Sequence, residues 1–226
     1  MTARDDFTLV DLSHKIFAGM ETYRGLPGPE ISTHLSRQES RGHYAPGTEF
    51  HIGRISMVGN TGTYVDSPFH RFENGTDLAD LPLERLAHLP ALRISVDPVK
   101  RAIEVSDLEK YEVSGRAVLL HTGWDRHWGQ EQYFHGHPYV TRAAAVWLVE
   151  QGSSLVGIDS LNIDDTDDSE RPAHTTLLDG GVPIAEHLTR LELVPEDGSR
   201  FSAVPAPVAG FATMPVRAYA LVPAAE

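Results

Sequence analysis

An apolar stretch, a capped helix and a second apolar stretch follow one another between residues 117 and 158, and this order is the strongest constraint on the fold. Residues 117–120 are all apolar, which is typical of a buried strand. Thr141 can cap a helix over residues 142–151, and Gly152 favours the end of that helix. A second apolar strand is predicted over residues 154–158. Strands joined through a helix run parallel, so the sequence predicts an α/β fold.

Shorter segments elsewhere predict a mixed sheet. Alternating or apolar patterns indicate further strands over residues 7–12, 50–58 and 92–96. The chain has 226 residues and shows no internal repeat or interdomain linker, so residues 1–226 are expected to form one compact domain. The acidic stretch 162–172 is expected to be an exposed loop, whereas residues 182–188 are compatible with either a helix or a strand.

Composition excludes several classes of function. The chain has no cysteine, so thiolate metal sites and a cysteine nucleophile are ruled out, and any metal must be held by His, Asp or Glu. A formal net charge of −13 repels a phosphate backbone, so nucleic acid is not an expected partner. No apolar run approaches the roughly 20 residues that span a bilayer. Residues 1–6 lack the pattern of a signal peptide, and we therefore expect a cytoplasmic protein.

The densest group of reactive side chains lies between Asn60 and His70, in the sequence Asn-Thr-Gly-Thr-Tyr-Val-Asp-Ser-Pro-Phe-His. Gly62 and Pro68 favour an irregular backbone around Tyr64 and Asp66. The alternative interpretation is a surface turn in which Asp66 bonds a nearby amide and His70 has no function.

A second group lies near the C-terminus, where His174 precedes an apolar pair and Glu186 follows farther on. A histidine and a glutamate can hold a divalent cation if the fold supplies a third ligand. Equally, His174 could be an ordinary hydrogen-bonded residue and Glu186 could face solvent.

These motifs resemble those of the cyclase family, the metal-dependent hydrolases that include bacterial kynurenine formamidase and isatin hydrolase. The family signature is His-x-Gly-Thr-His-x-Asp-x-Pro-x-His, which residues 60–70 match except at Asn60 and Tyr64. The resemblance continues, in the same order, through the segments 11–14, 120–124, 156–160 and 174–186, and thus covers most of the chain.

The resemblance implies a compact α/β domain of the swivelling β/β/α type with a mixed sheet, assembled as a dimer or tetramer. It assigns Asp66, His174 and Glu186 as metal ligands and His70 as a catalytic histidine. The implied reaction is hydrolysis of an amide-type C–N bond in a small molecule, with arylformamidase, an activity of tryptophan catabolism, as the nearest named activity. Carboxylate and imidazole ligands suit zinc or manganese.

Asn60 and Tyr64 stand where the family has histidines, and neither is an equivalent donor, because an amide oxygen binds weakly and a neutral phenol hardly at all. One metal per chain is therefore expected instead of two. The alternative is a metal-free lyase, isomerase or binding protein on the same fold, in which Tyr64 and His70 transfer protons. A structural or regulatory interaction protein is the third hypothesis.

Other histidines and aromatic residues are secondary candidates. His51, or His43 upstream of it, is a candidate substitute donor, or it lies outside the ligand shell or on the surface. His14 is a candidate pocket residue, with a purely structural role as the alternative. Asn60, His51 and His14 are together the candidates for contacting the substrate or supporting the metal ligands. Trp124, Trp128, Tyr133 and Phe134 either line an aromatic substrate pocket or belong to the core.

Overall fold

The computed structural model describes residues 7–224, so both ends of the predicted 1–226 domain lie outside the described residues. The strands are β1 Phe7–Asp11, β2 Glu30–Leu35, β3 Ile52–Ser56, β4 Tyr64–Asp66, β5 Leu89–Ser95, β6 Ala102–Ile103, β7 Ala117–His121, β8 Tyr139–Val140, β9 Leu155–Ile158, β10 Ile184–Glu186, β11 Arg200–Ser202, β12 Thr213–Pro215 and β13 Tyr219–Pro223. The α-helices are α1 Arg37–Ser40, α2 Val105–Leu108, α3 Arg142–Glu150 and α4 Pro172–Asp179.

Nine strands form one mixed sheet in the order β1-β13-β11-β5-β7-β9-β10-β4-β12. The four central strands β5, β7, β9 and β10 are parallel, and antiparallel strands extend the sheet on both sides. The prediction of a single α/β domain with a mixed sheet is confirmed. Strands β2 and β3 form a separate hairpin, and β6 pairs with β8.

The predicted strand, helix and strand correspond to β7, α3 and β9, and the two strands are parallel as expected. The Thr141 side chain caps α3 by accepting a hydrogen bond from the Ala144 amide at 3.2 Å. Gly152 follows the helix with φ +77°, a backbone conformation that glycine adopts without strain.

A second crossover, β9-α4-β10, is not evident from the sequence. Helix α4 is short and has no side-chain cap, since Arg171 occupies the cap position. The expectation of an exposed loop over residues 162–172 is wrong for its first part, because Asn162, Ile163 and Asp164 are buried. Asp164 is stabilised in its buried position because it accepts hydrogen bonds from the backbone N–H groups at the start of α4. Residues 182–188 contain the strand β10.

The sheet has an apolar core on each face. Along β7, Val118 and Leu120 pack with the helices, whereas Ala117 and Leu119 face the opposite core. On β4 and β10, Val65 and Ala185 belong to that opposite core. Because side chains alternate along a strand, the neighbours of Val65 and Ala185 point to the helix-bearing face. Among residues 7–224, no helix is long and apolar enough to cross a membrane.

Candidate active site

Strand β4 is the centre of the candidate site. Tyr64 and Asp66 are two residues apart and therefore share one face of the sheet. On one side of β4, Glu186 of β10 lies directly opposite Tyr64, and on the other side Thr213 of β12 lies opposite Asp66. Side chains opposite one another on neighbouring strands are in contact range, so the strand register brings these groups together.

The loop before β4 is fixed by buried hydrogen bonds. Gly62 has φ +65°, and its amide donates to the Thr22 hydroxyl at 2.8 Å. The Thr63 hydroxyl donates to the His187 carbonyl at 2.6 Å. Gly59 must lack a side chain, because a Cβ atom there would lie 2.2 Å from the Thr213 carbonyl oxygen. Residues 61–68 are buried, so a surface turn does not describe this segment.

The Asp66 carboxylate is fully buried and only partly hydrogen-bonded. Its Oδ1 atom accepts a short hydrogen bond from the Thr213 hydroxyl. Its Oδ2 atom has no hydrogen-bond partner among residues 7–224. The Nε2 atom of His174 lies 3.7 Å from Oδ2, and the Nε2 atom of His70 lies 3.9 Å from Oδ1. Two imidazoles thus approach one carboxylate without reaching hydrogen-bond distance.

The hydrogen-bond pattern around His70 fixes its tautomer. The single hydroxyl hydrogen of Thr213 is given to Asp66, and the same hydroxyl oxygen lies 3.1 Å from Nδ1 of His70. Nδ1 must therefore carry a hydrogen and donate it to Thr213. The lone pair of neutral His70 is then on Nε2, the atom that faces Asp66.

Asp164 orients the second imidazole. One oxygen of Asp164 lies 2.7 Å from Nδ1 of His174 and 3.0 Å from its backbone amide, while the other accepts from the Ala173 amide at 2.5 Å. Nδ1 of His174 is therefore the donor, and Nε2 points toward Asp66 and Glu186. Burial alone would lower the pKa of His174, but Glu186, Asp164 and Asp66 together raise it to about 10.

Glu186 is held at both oxygens. Oε2 accepts from the Tyr64 hydroxyl at 2.6 Å, and Oε1 accepts from the Ile163 amide at 2.6 Å. Since Tyr64 gives its hydrogen to Glu186, it can only accept from His187 Nε2, 3.3 Å away. His187 Nδ1 is then the acceptor for the Tyr133 hydroxyl at 2.8 Å. A buried chain of hydrogen bonds therefore runs from Tyr133 to Glu186.

Burial and the proximity of Glu186 and Asp66 raise the pKa of Tyr64 well above its ordinary value, so this phenol stays neutral near neutral pH. Burial raises the pKa of Glu186 to about 7; the neighbouring Asp66 adds to this effect, whereas His174 opposes it.

Four of the predicted side chains share one region. Single ligand atoms of Asp66, His70 and His174 all lie within 4.8 Å of one another. Glu186 joins this group through Oε1, which is 3.7 Å from Nε2 of His174. Asn60, Tyr64, His70, His174 and Glu186 line a cavity of about 400 Å³, whereas Asp66 is fully buried and is not part of that lining.

The secondary candidates lie outside this cavity lining. His51 is exposed directly before β3, where its Nε2 is 3.3 Å from the Thr33 hydroxyl of β2, and His43 is also exposed. His14 stacks on Trp128 with ring centroids 3.8 Å apart. The aromatic residues form a small apolar core, in which Trp124 and Tyr133 are buried together with Leu161. The cluster contacts the site through the hydrogen bond from Tyr133 to His187 and through Phe134, whose ring centroid lies 4.9 Å from the guanidinium of Arg24 in the cavity lining.

Three residues of the site were not predicted from the sequence. Asp164 lies in a stretch so acidic that no single carboxylate stands out, and Thr213 lies among closing strands without a motif. His187 adjoins Glu186 but has no pattern of its own; its backbone φ of 54° is uncommon for a residue other than glycine.

Comparison with known proteins identifies the family. The family model described as "Putative cyclase" matches residues 10–165, more than half of the chain. The chain belongs to the cyclase family. The resemblance drawn from residues 60–70 and the segments after them is thereby confirmed.

Cyclase-family relatives match nearly the whole chain. The kynurenine formamidase of Bacillus cereus (strain ATCC 14579) is 28% identical over 210 residues, which are 92% of this chain and 95% of that protein. The structure of a potential metal-dependent hydrolase with cyclase activity has a TM-score of 0.78 at 28% identity, covering 95% of this chain and 98% of the other. These relatives support the prediction of a hydrolase.

An isatin hydrolase bound to the product analogue thioisatinate has a TM-score of 0.80 at 20% identity, covering 97% of this chain and 94% of that one. At this identity the likeness shows that the two chains share the cyclase fold.

His14 gives a prediction about acid stability. Burial lowers the pKa of His14 to about 4 from a usual 6.5, so the unfolded chain binds a proton at a pH where the folded chain does not. Stability from this group is therefore lost as the pH falls from about 6.5 toward 4, by about 2 kcal/mol at pH 5. His14→Phe keeps the stack on Trp128 and removes the titration. Urea unfolding at pH 7 and pH 5 should show a smaller acid-induced loss in the variant, and an equal loss in both proteins would contradict this account.

Proposed function

We propose that this protein is a metal-dependent hydrolase that cleaves the amide-type C–N bond of an arylformamide. The observation that carries the proposal is the buried Asp66 carboxylate, whose Oδ2 atom lacks a hydrogen-bond partner among residues 7–224 and faces His174. A buried anionic oxygen without a partner is costly unless a cation neutralises it. The donor set therefore fits a bound divalent metal.

Asp66, His70 and His174 are the proposed ligands of one zinc or manganese ion. Their ligand atoms lie within 4.8 Å of one another, a spacing that one ion can bridge. Each imidazole is held through its other nitrogen, His70 by Thr213 and His174 by Asp164. Protein metal sites orient histidine ligands in this way.

The ion, when bound, supplies a water molecule of lowered pKa and polarises the carbonyl of the substrate. Glu186 is the proposed base that removes the proton, because it lines the cavity and its Oε1 lies 3.7 Å from His174. This assignment exchanges the roles that the sequence suggested for His70 and Glu186. The hydrogen bonds from Tyr64 and Ile163 hold the Glu186 carboxylate in a single orientation.

A single ion per chain is favoured over two by the contacts of Tyr64. At the position of the family's second motif histidine, the Tyr64 hydroxyl already donates to Glu186 and accepts from His187. A neutral phenol with both roles filled has little capacity to bind a cation. Tyr64 therefore acts through Glu186, as a positioning residue.

A metal-free lyase, isomerase or binding protein remains the second candidate, supported by the charge state of His174. Burial lowers its pKa, but the surrounding carboxylates outweigh burial and raise that pKa to about 10. A protonated imidazole among Asp66, Asp164 and Glu186 neutralises part of their charge. In the metal-free candidate, the proton on His174 therefore supplies the positive charge that a metal ion supplies in the hydrolase.

The proposed substrate is N-formylkynurenine, the arylformamide of tryptophan catabolism. Kynurenine formamidase is the name of the B. cereus relative, and both carbonyl polarisation and a nearby base suit hydrolysis of a formamide. A cytoplasmic location and the absence of nucleic-acid and membrane partners remain predictions from the sequence.

A homo-oligomer, with a dimer as its smallest form, is supported by the β2-β3 hairpin. Its residues Ile31, Ile52 and Ile55 are each about half exposed. A two-stranded hairpin is marginally stable in water unless something packs against it. A second copy of the chain would cover this apolar surface.

The hydrolase proposal predicts metal-dependent turnover. Protein stripped with a chelator should not hydrolyse N-formylkynurenine, and adding zinc or manganese should restore turnover with about one metal per chain by elemental analysis. No metal uptake, together with no turnover, would reject the hydrolase and favour the metal-free candidate.

Two substitutions distinguish the proposed role of His70 as a metal ligand from that of Glu186 as the base. His70→Ala should lower zinc affinity by about tenfold or more, because a ligand is lost. Glu186→Gln should keep about one zinc per chain but lower kcat by about 100-fold or more, because the base is lost. His51→Ala is the matched control and should change neither quantity. Loss of zinc from Glu186→Gln with retention in His70→Ala would restore the roles suggested by the sequence.

The oligomer is tested at Ile55. Ile55→Asp places a charge on the exposed hairpin and should convert a dimer to a monomer in light scattering after size exclusion. Leu83→Asp, at a residue that is 60% exposed elsewhere, is the control and should leave the mass unchanged. A wild-type monomer, or a dimer unaffected by Ile55→Asp, would contradict the proposed interface.

A further inference from the structure

Arginine side chains line the same cavity as the proposed catalytic groups. Arg24, Arg71 and Arg171 contribute to its wall, although the chain as a whole carries a net charge of −13. Arginine side chains at a cavity opening favour an anionic ligand there, even in a protein whose net charge is negative.

Two of these arginines have no anionic partner in the described part of the chain. Arg24 is paired with Glu131, so its charge is compensated. Within residues 7–224, neither Arg71 nor Arg171 has a carboxylate oxygen within 4.0 Å. Both therefore have charge available for a ligand.

Two neutral groups hold Arg171 at the cavity. One terminal nitrogen is 3.4 Å from the Asp165 carbonyl oxygen, and the other is 3.3 Å from the Tyr23 hydroxyl. A guanidinium has five N–H donors, so most of its capacity remains open. The side chain is half-buried, which makes its charge less screened than that of a surface arginine.

The backbone ties Arg171 to the proposed metal ligand. Arg171 has φ 49° and ψ 58°, a left-handed conformation that is strained in a residue other than glycine, and helix α4 begins at the next residue. His174 lies three residues later, in the first turn of that helix. The same element thus sets the position of the open guanidinium and of the imidazole that faces Asp66.

Arg71 is fixed in a similar way on the other motif. It directly follows His70 in the chain, and its Nε atom donates to the Thr175 hydroxyl of α4 at 3.2 Å. No carboxylate oxygen of residues 7–224 lies within 4.0 Å of its two terminal nitrogens. Each proposed imidazole ligand therefore has an arginine close to it in sequence that also lines the cavity.

We propose that Arg171, assisted by Arg71, binds a carboxylate group of the substrate and so selects anionic amides over neutral ones. This inference rests on the proposed hydrolase function and extends it to the substrate class. A guanidinium binds a carboxylate through two parallel hydrogen bonds, which fixes orientation as well as affinity. The carboxylate anchors the substrate at the arginines, while the amide carbon faces Glu186.

The test uses two substrates that differ by a single carboxylate, 2-formamidobenzoate and formanilide. Arg171→Gln should raise KM for 2-formamidobenzoate by about tenfold or more, as expected for the loss of a charged hydrogen bond, and leave kcat/KM for formanilide unchanged. Arg71→Gln should act in the same direction with a smaller effect. Arg54→Gln, which removes the same charge from the exposed strand β3 outside the cavity lining, should alter neither substrate.

A binding measurement separates this inference from the hydrolase proposal. Anthranilate, which keeps the carboxylate but has no amide to cleave, should bind wild-type protein and bind Arg171→Gln about tenfold or more weakly, as followed by its fluorescence. This result would support the anion site even if no amide were hydrolysed. Equal loss of both substrates in Arg171→Gln, unchanged anthranilate affinity, or no anthranilate binding by wild-type protein would overturn the inference.

Discussion

The rest of the site depends on the buried carboxylate of Asp66, in which Oδ1 is hydrogen-bonded and Oδ2 has no hydrogen-bond partner among the described residues. It lies on β4, the strand next to the sheet edge, and has no exposure to solvent, so an anion there is costly unless partners surround it. Those partners come from distant parts of the chain: Thr213 from the neighbouring strand β12, His70 from the turn after β4 and His174 from α4. The late strands and the last helix are therefore needed to complete a motif that lies in the first third of the sequence.

The site balances charge with very few groups. Asp66, Asp164 and Glu186 surround His174, and an imidazolium or a metal ion at this point neutralises part of their combined charge. Tyr64 stands in place of a motif histidine, which removes one potential metal ligand. Its phenol fills the space and hydrogen-bonds to both Glu186 and His187. The result is a smaller polar centre than a two-metal site requires, next to a cavity that is also lined by Arg24, Arg71 and Arg171.

The sequence predicted the features that depend on local pattern or on a recognisable motif. The crossover from β7 through α3 to β9 follows from apolar runs, the Thr141 cap and Gly152. Grouping of Asp66, His70, His174 and Glu186 followed from the resemblance, because their spacing alone leaves simpler interpretations open. What the sequence could not supply were tertiary partners. Asp164 is buried only because α4 offers its amides, and Thr213 matters only because β12 pairs in register with β4. The proposed assignment of His70 as ligand and Glu186 as base depends on which of their oxygen and nitrogen atoms are already hydrogen-bonded, and the sequence does not show this.

X-ray absorption at the zinc edge of zinc-loaded protein tests the central claim most directly, because it counts the imidazoles bound to the ion. If Asp66, His70 and His174 hold the metal, the spectrum of the wild type should fit two imidazoles with oxygen ligands, and that of His70→Ala should fit one. A single imidazole in both proteins would contradict the account, since His70 would then lie outside the coordination shell.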